Sequence, residues 1–286
     1  MQHPPLSEAT YGKLIYMYLG IDIGGTKTLV AALSDNGEIA ASVKFATPSE
    51  YADFLKELKH VVQDELPFNE FRAGCVAAPG EIDRKHGRFE EGGRLQWANI
   101  PLRHDIERFV NCPMLVENDA NLAGLSEAML LKDTHAKVLY ITISTGIGTG
   151  FIVDQKIDPS MADSEGGQMM IQRGDKIVKW ESFASGKAIY ERYGRKASEI
   201  NDRKIWKAVA EDLTVGFIDL LAVTQPDVIV IGGGVGHYLE KFHDLLVEEL
   251  QKYATPLVPV PPIIKAQRPE EAVVYGCYDL ARSVYA

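Results

Sequence analysis

The alternation of apolar and polar positions predicts short strands followed by a helix at the start of the chain. Residues 17–46 contain three apolar runs separated by glycine-bearing turns, which predicts an antiparallel meander. The apolar positions that follow share one helical face, namely Phe54, Leu55, Leu58, Val61 and Val62. We expect that helix to start at Thr47 as N-cap, with Pro48 at the first helical position and Glu50 completing a capping box.

Further along, the pattern continues as apolar strands and amphipathic helices. Strands are predicted in the runs AGCVAA, PMLVE, DVIVI and PPIIKA. Helices are predicted at residues 103–110, in DANLAGLSEAMLL, and around 202–223, 238–252 and 271–284. This alternation predicts an α/β protein.

A strand, glycine turn and strand occur in the same order twice. YLGIDIGGTKTLV near the start is repeated by VLYITISTGIGTGFIV about 120 residues later. We interpret the repeat as two duplicated lobes packed around one cleft, since no low-complexity linker separates them. The predicted parts are an N-terminal extension at residues 1–16, a first lobe at 17–121, a second lobe at 122–270, and a last helix at about 271–286 that packs back on the first lobe.

Composition restricts the class of protein. The 286 residues are 46% hydrophobic and 24% charged, with a formal net charge of −10 and no basic block, which argues against nucleic acid or an anionic membrane as partner. No apolar run approaches the roughly 20 residues that span a bilayer, and the first sixteen residues lack a signal-peptide core, so we expect a cytoplasmic protein. Three widely spaced cysteines without C-x-x-C predict neither a disulfide framework nor a structural zinc site.

The first glycine turn has the chemistry of a phosphate cradle. Gly24 and Gly25 leave backbone N–H groups free to converge on an anion, while Thr26 and Lys27 add a hydroxyl and a cation. Asp22 could hold Mg²⁺ through water. The alternative is a plain hairpin with a solvated acid, and the loop is not a Walker A motif, because its spacing differs and a strand follows it.

Two further glycine segments fit the same chemistry. The second hairpin offers Thr145 and Gly146, and a pair of such loops could hold a triphosphate. After DVIVI, the run Gly232–Gly234 could lie against adenine or ribose at a helix N-terminus. A tight strand-to-helix turn is the alternative for that run.

An acidic segment stands where a strand meets a helix. Asn118 and Asp119 follow PMLVE and precede an apolar-periodic helix. An aspartate there can accept the proton of a sugar hydroxyl as it attacks phosphorus. Asn and Asp are also preferred helix N-caps, which is the alternative reading.

Taken together, these segments resemble the ROK family (repressors, open reading frames and sugar kinases) within the actin-like ATPase and hexokinase superfamily. DIGGTK is similar to the family's first phosphate motif, STGIGTG to its second, IGGG to its adenosine motif and VENDANLAG to the segment with the catalytic aspartate. APGEID and LQWANIPL resemble two further family segments. The resemblance runs from about Met17 to the C-terminus and implies a two-lobed, ribonuclease H-like actin-type ATPase fold.

The resemblance also implies roles for single residues. Asp119 is implied as the catalytic residue and Asp22 as the residue that positions Mg²⁺ through water. Nucleotide binding falls on Asp22, Gly24, Gly25, Thr26, Lys27, Thr145, Gly146, Gly232, Gly233 and Gly234. Sugar binding falls on Asn99, Asn118, Asp119, Glu165, Gln168 and Glu181.

The chain departs from the family pattern at one place. The family usually has Glu-x-Gly-His followed by a zinc-binding cysteine cluster ending in Cys-x-Glu. Here SEGGQMMI keeps Glu165 and Gly167 but has Gln168 instead of histidine, and RGDKIVKWESFASG keeps Glu181 without cysteines. Because glutamine neither titrates nor binds zinc as imidazole does, the sequence again predicts no structural zinc.

The function implied is that of an ATP- and Mg²⁺-dependent hexose kinase, similar to glucokinase, that makes glucose 6-phosphate. Alternative acceptors are N-acetylmannosamine, fructose or another hexose, and polyphosphate is an alternative donor. A sugar-responsive transcription regulator is a rival, but the residues before the first strand are too few for a helix-turn-helix domain. A sugar-binding protein without turnover is a third possibility. Partners are expected to be a sugar, a nucleotide and a second copy of the chain, since family members are commonly dimers.

Overall fold

The computed structural model describes residues 17–93, 95–268 and 270–286. The chain divides into two compact units, Met1–Ser126 with Glu270–Ala286 and Glu127–Pro269. The boundary predicted after residue 121 therefore lies five residues before the observed one, within a helix. No helix in the described ranges combines the length and apolarity needed to cross a bilayer.

Strands and helices alternate along the chain, with short antiparallel ribbons between them. The elements as far as the boundary are β1 (Met17–Ile23), β2 (Lys27–Leu33), β3 (Ile39–Ala46), α1 (Tyr51–His60), β4 (Phe71–Ala78), β5 (Glu81–Asp83), β6 (Arg88–Glu91), α2 (Leu102–Val110), β7 (Met114–Asn118) and α3 (Asp119–Leu130). Those that follow are β8 (Lys137–Ile143), β9 (Ile147–Val153), β10 (Lys156–Ile157), β11 (Met170–Arg173), β12 (Lys176–Lys179), α4 (Glu181–Ala184), α5 (Gly186–Tyr193), α6 (Arg203–Thr224), β13 (Val228–Gly232), α7 (Gly233–Gly236), α8 (His243–Gln251), β14 (Ile263–Lys265) and α9 (Ala272–Tyr285).

The main sheets of the two units have the same topology. The first has the order β3-β2-β1-β4-β7 and the second β10-β9-β8-β13-β14. In each, three consecutive antiparallel strands form one side of the sheet, a fourth strand pairs in parallel with the first of them, and a fifth pairs in parallel with the fourth. The glycine repeat in the sequence therefore corresponds to a repeated strand order.

Helices cover both faces of the first sheet. Helices α1 and α2 bury one face, with Phe54, Leu58 and Ile106 among the core residues. Helices α3 and α9 bury the other, where Leu122 and Cys277 belong to one cluster with the strands. These two helices approach closely, because a Cβ on Gly276 would lie 2.0 Å from the carbonyl oxygen of Leu122. The contact fixes the first turns of α3, which begins at Asp119.

Helix α6 forms the centre of the second unit. It contributes Trp206, Leu213 and Phe217 to a core that also takes in β8 and β13. Trp180 packs edge-on against Phe217, with ring centroids 5.9 Å apart. The two strands of the second glycine hairpin, β8 and β9, pack against this core.

Two sequence expectations about helices are wrong. Helix α1 begins at Tyr51 with Glu50 as N-cap, and the capping box at Thr47 does not form. Instead, Thr47 extends the β3 ladder, because its N–H donates to the carbonyl of Thr26 at 3.1 Å. The helix predicted at 238–252 is interrupted at Phe242, where the backbone leaves the helical region with φ −137° and ψ −1°. The Phe242 ring stacks on Trp206 at a centroid distance of 5.1 Å.

Candidate functional site

The first glycine hairpin is closed by backbone bonds and braced by Thr47. The N–H of Gly24 donates to the carbonyl of Lys27 at 3.0 Å, and the Thr47 hydroxyl donates to the carbonyl of Gly24 at 2.8 Å. Gly24 has no room for a side chain, since a Cβ would lie 2.8 Å from the Lys27 carbonyl oxygen. Gly25, Thr26 and Lys27 are exposed. The turn therefore exposes its backbone, the Thr26 hydroxyl and the Lys27 ammonium group, while the hydrogen bonds at Gly24 hold its base in place.

Two partly buried carboxylates lie beside this hairpin in the first unit. Asp22 is on β1, which pairs with β4, and β4 pairs with β7, the strand that leads into Asp119. The pKa of Asp22 is raised to about 7, first by burial and then by the negative charge of Asp119, while the positive charge of Lys44 acts against both. Burial also raises the pKa of Asp119, while a hydrogen bond from the Ala120 N–H opposes that shift. The two acids therefore share a site in which charge is costly.

A pair of carboxylates at such a place suits a divalent cation. Mg²⁺ uses one or two carboxylates and completes its octahedron with waters and substrate phosphates. Among the described residues, no group of three or more His, Cys, Asp or Glu side chains is placed to hold a metal ion. Asp22 and Asp119 therefore fit a cation that arrives with a phosphate ligand better than one held by the protein alone.

Asp22→Asn is expected to stabilise the fold, and more at pH 8 than at pH 5. The pKa of Asp22 is about 7 in the fold against 3.8 for the free side chain, so folding favours the protonated acid. Stability from this group is complete below about pH 3.8 and is lost as pH rises through about 7. The asparagine variant lacks that loss, so its advantage in free energy of unfolding should grow by about 2–3 kcal/mol between pH 5 and pH 8.

Urea unfolding at both pH values measures this difference. Asp133→Asn, at an exposed aspartate in the turn after α3, is the matched control and should show no such growth. An advantage for Asp22→Asn that is equal at pH 5 and pH 8 contradicts the prediction.

Asn118 caps helix α3, while Oδ1 of Asp119 also accepts a hydrogen bond from the Ala120 N–H at 2.8 Å. The Oδ1 of the asparagine accepts hydrogen bonds from the N–H groups of Ala120 at 2.8 Å and Asn121 at 3.3 Å, and its Nδ2 donates to the carbonyl of Gly80 at 3.1 Å. The capping role that competed for Asp119 in the sequence is thus filled by its neighbour. The Pro-Gly turn and the acidic segment, 38 residues apart, are joined directly by this amide.

A partly buried ion pair joins the acidic segment to Arg84. Arg84 forms a two-pronged pair with Glu117, with Nε–Oε2 and Nη2–Oε1 distances of 2.7 and 2.6 Å. Glu117 also accepts from the Asn118 N–H at 2.7 Å and from Nδ2 of Asn121 at 3.0 Å. Sequence analysis did not single out either partner.

Lys44 is a second residue that sequence analysis missed. Strand register places Lys44 opposite Leu29, Leu29 opposite Asp22 and Asp22 opposite Ala77, so Lys44 and Asp22 face the same side of the sheet. Adjacent strands are about 4.8 Å apart, which lets a lysine two strands away act on Asp22. Read without register, Lys44 is an ordinary exposed residue of an edge strand.

Asn99 is exposed and has a positive φ of 57°. Its N–H donates to the carbonyl of Glu90 and its own carbonyl accepts from Arg88, both at 2.8 Å. Among the described residues, no hydrogen bond joins Asn99 to Asn118 or Asp119. Its assignment to the sugar remains a prediction.

In the second unit, several predicted residues meet at the second hairpin. Gln168 donates from Nε2 to Oε1 of Glu181 at 2.7 Å, and the other carboxylate oxygen accepts from the Ile147 N–H at 3.3 Å. Thr145 is exposed at the tip of the turn, Gly146 is partly buried, and Glu165 is exposed beside the short helix that contains Gln168. Gln168, Glu181 and the hairpin thus form one cluster.

The third glycine run combines packing with open space. A Cβ on Gly232 would lie 2.2 Å from the Tyr140 hydroxyl, and one on Gly233, at φ +81°, would lie 2.6 Å from the Ile143 carbonyl oxygen. Gly234 has nothing within 4 Å of the corresponding position. Close packing in a tight strand-to-helix turn therefore explains Gly232 and Gly233. Of the three glycines, Gly234 alone presents an accessible backbone.

Comparison with known proteins yields a family match over nearly the whole chain. The model of the ROK family matches residues 18–284. A glucokinase of Streptomyces coelicolor is 26% identical over 311 residues, covering 92% of this chain and 97% of the relative. An N-acetyl-D-glucosamine kinase of Haemophilus influenzae is 26% identical over 297 residues, covering 91% and 97%.

Solved structures show the same likeness. The crystal structure of a ROK family glucokinase from Streptomyces griseus, in complex with glucose and AMPPNP, superposes with a TM-score of 0.79 at 24% identity and covers 93% of this chain and 99% of that one. The predicted α/β class and actin-like ATPase fold are confirmed by these likenesses.

Proposed function

Because the chain belongs to the ROK family, we propose that it is an ATP-dependent sugar kinase whose preferred acceptor is the 6-hydroxyl of glucose. The observation that carries the proposal is the pair Asp22 and Asp119 beside an exposed glycine turn, with Asn118 rather than Asp119 capping the helix. The sugar kinases among the relatives support the substrate class.

Asp119 is the proposed proton acceptor. The hydroxyl oxygen of the sugar forms a bond to the γ-phosphorus, the bond from that phosphorus to the β–γ bridging oxygen breaks, and the hydroxyl proton passes to the Asp119 carboxylate as ADP leaves. A raised pKa brings this carboxylate closer to neutral pH and makes it a better acceptor once ionised. Mg²⁺, positioned by Asp22 through water, would supply charge neutralisation on the phosphates.

The remaining residues bind and orient. The hairpin Gly24–Lys27 is proposed to hold the phosphates through the N–H groups of Gly25 and Thr26, since the Gly24 N–H donates to the Lys27 carbonyl, and the turn at Thr145–Gly146 is proposed to hold them from the second unit. Gly234, with Gly232 and Gly233 before it, is proposed to lie against the adenosine. The sugar ligands are proposed to be Asn99, Asn118, Glu165, Gln168 and Glu181. Lys44 adds positive charge on the same face as Asp22.

A screen of kinase activity tests the proposal. Purified protein is mixed with ATP and Mg²⁺ and with glucose, N-acetylglucosamine, N-acetylmannosamine or fructose, and ADP release is followed by a coupled assay. We expect sugar-dependent, Mg²⁺-dependent turnover that is fastest with glucose. A parallel series with polyphosphate identifies the donor. No turnover with any acceptor and donor contradicts the proposal and favours a sugar-binding protein without catalysis.

A further inference from the structure

The segment from Gln168 to Glu181 is a β-ribbon whose base is closed by hydrogen bonds. Strands β11 and β12 pair antiparallel, and the Trp180 N–H donates to the carbonyl of Met169 at 2.8 Å. Beside this bond, Gln168 Nε2 donates to Glu181 Oε1 at 2.7 Å. The three cysteines, Cys75, Cys112 and Cys277, all belong to the other unit, so the residues here do not fit the zinc cluster of the family.

The ribbon is also pinned to the core at its far end. Arg173, the last residue of β11, pairs with Asp212 of α6 at 2.8 Å, and Arg192 of α5 pairs with the other carboxylate oxygen. Trp180 Nε1 donates to the carbonyl of Asp212 at 3.2 Å. The ring of Trp180 lies flat on α6, since a Cβ on Gly216 would be 2.3 Å from it. With both ends fixed, Gln168 and Glu181 have little freedom to separate.

Glu181 forms one wall of the second hairpin. Its Oε2 accepts from the Ile147 N–H at 3.3 Å and would lie 2.6 Å from a Cβ on Gly146. On another side, the Gly186 N–H donates to the carbonyl of Ser144 at 2.7 Å. The turn at Thr145–Gly146 is therefore positioned by the residues that follow the ribbon.

The loop that holds Gln168 touches the same hairpin directly. A Cβ on Gly167 would lie 2.1 Å from the Ile147 carbonyl oxygen, and the Gly166 N–H donates to Thr149 Oγ1 at 3.1 Å. Any displacement of this loop must therefore shift β9 or break these contacts. The loop and the hairpin are therefore joined by direct contacts.

We infer that Gln168 and Glu181 are positioning residues that couple the binding of the two substrates. The hydrogen bonds from Gln168 to Glu181 and from the Ile147 N–H to Glu181 connect the loop at Gln168, the proposed sugar site, to the turn at Thr145–Gly146, the proposed phosphate site. The inference rests on the proposed function, which assigns Gln168 to the sugar and Thr145–Gly146 to the donor. A sugar that orders the loop also orders the turn, so each substrate tightens the binding of the other by the same factor.

The test compares Gln168→Leu with Gln172→Leu, the same change on the exposed outer face of the ribbon. Calorimetry measures the Kd of Mg²⁺-AMPPNP with and without saturating glucose. In the wild type and in Gln172→Leu, glucose is expected to tighten binding by about 5-fold or more. In Gln168→Leu the ratio is expected to fall below about 2-fold. A ratio near one in the wild type, or an unchanged ratio in Gln168→Leu, overturns the inference.

A second measurement keeps this test separate from that of the proposed function. Hydrogen exchange at the Ile147 amide needs no ligand, and Gln168→Leu is expected to accelerate it about 10-fold relative to Gln172→Leu, in line with the loss of about 1.4 kcal/mol of local stability. Unchanged exchange overturns the coupling chain even if the protein is a kinase. If Gln168→Leu accelerates exchange at Ile147 but the protein phosphorylates no sugar, the proposed function is rejected. The hydrogen-bonded connection from Gln168 to Ile147 is then still supported.

Discussion

Asp119→Asn is expected to lower kcat by roughly 10²–10⁴-fold while the protein stays folded. Asparagine keeps the oxygen that accepts from the Ala120 N–H, and Asn118 continues to cap α3, so the start of the helix is preserved. What is lost is a group able to take the hydroxyl proton. Substrate KM values should change much less than kcat, because the residue acts mainly in the transition state.

Steady-state kinetics with the best sugar of the screen, together with thermal unfolding, measures both parts. Asp133→Asn serves as the matched control and should retain full activity. Removal of a negative charge beside Asp22 should also leave thermal stability equal or higher, because that charge raises the pKa of Asp22. If Asp119→Asn turns over sugar at the wild-type rate, the assignment of Asp119 as proton acceptor is wrong.

Arg84→Met is expected to lower the free energy of unfolding by about 3 kcal/mol. The change leaves Glu117 charged and buried, with only 5% of its side chain exposed. The N–H of Asn118 and the amide of Asn121 satisfy part of that carboxylate, so we expect a value at the lower end of the range for broken buried pairs. In a protein of this size the melting temperature should fall by about 6–12 °C.

The reverse change provides an internal control. In Glu117→Gln the remaining charge is that of Arg84, whose side chain is 28% exposed and can turn toward water. Glu117→Gln should therefore cost less than Arg84→Met, and the double variant should be more stable than Arg84→Met alone. Urea unfolding of the three variants measures these differences. A larger loss of free energy of unfolding in Glu117→Gln than in Arg84→Met would contradict the prediction that the unpaired glutamate is the more costly of the two charges.

The order of strands and helices was accessible from sequence because it depends on local periodicity. Helix α6 and strand β13 follow from apolar spacing alone, and the glycine repeat correctly indicated a repeated topology. Thr47 shows where such reasoning ends. Its local context, Thr-Pro-Ser-Glu, is a good capping box, but its hydroxyl is committed to the carbonyl of Gly24, 23 residues away. A tertiary hydrogen bond outcompeted a local one.

The site residues missed in the sequence share the same cause. Lys44 acquires meaning only through the register of three strands, and Glu117 only through Arg84, 33 residues earlier. Gly167 is recognisable in the sequence as part of a family segment, but only the structure gives the physical reason for a glycine there, since a Cβ would lie 2.1 Å from the Ile147 carbonyl oxygen on another strand. Motifs reveal residues that touch ligands, whereas residues that support them are revealed by contacts distant in sequence.

The repeated strand order has a consequence for how chemistry is distributed along the chain. In the first hairpin Asp22 stands next to the last residue of its strand, and in the second Thr142 occupies the equivalent position. The first copy has Asp22 and, across the turn, Lys27, whereas the second has hydroxyls and glycines without a charged residue between Thr142 and Gly150. The same strand order therefore presents a carboxylate in the first unit and a hydroxyl in the second at equivalent positions, so the two hairpins share a topology and differ in charge.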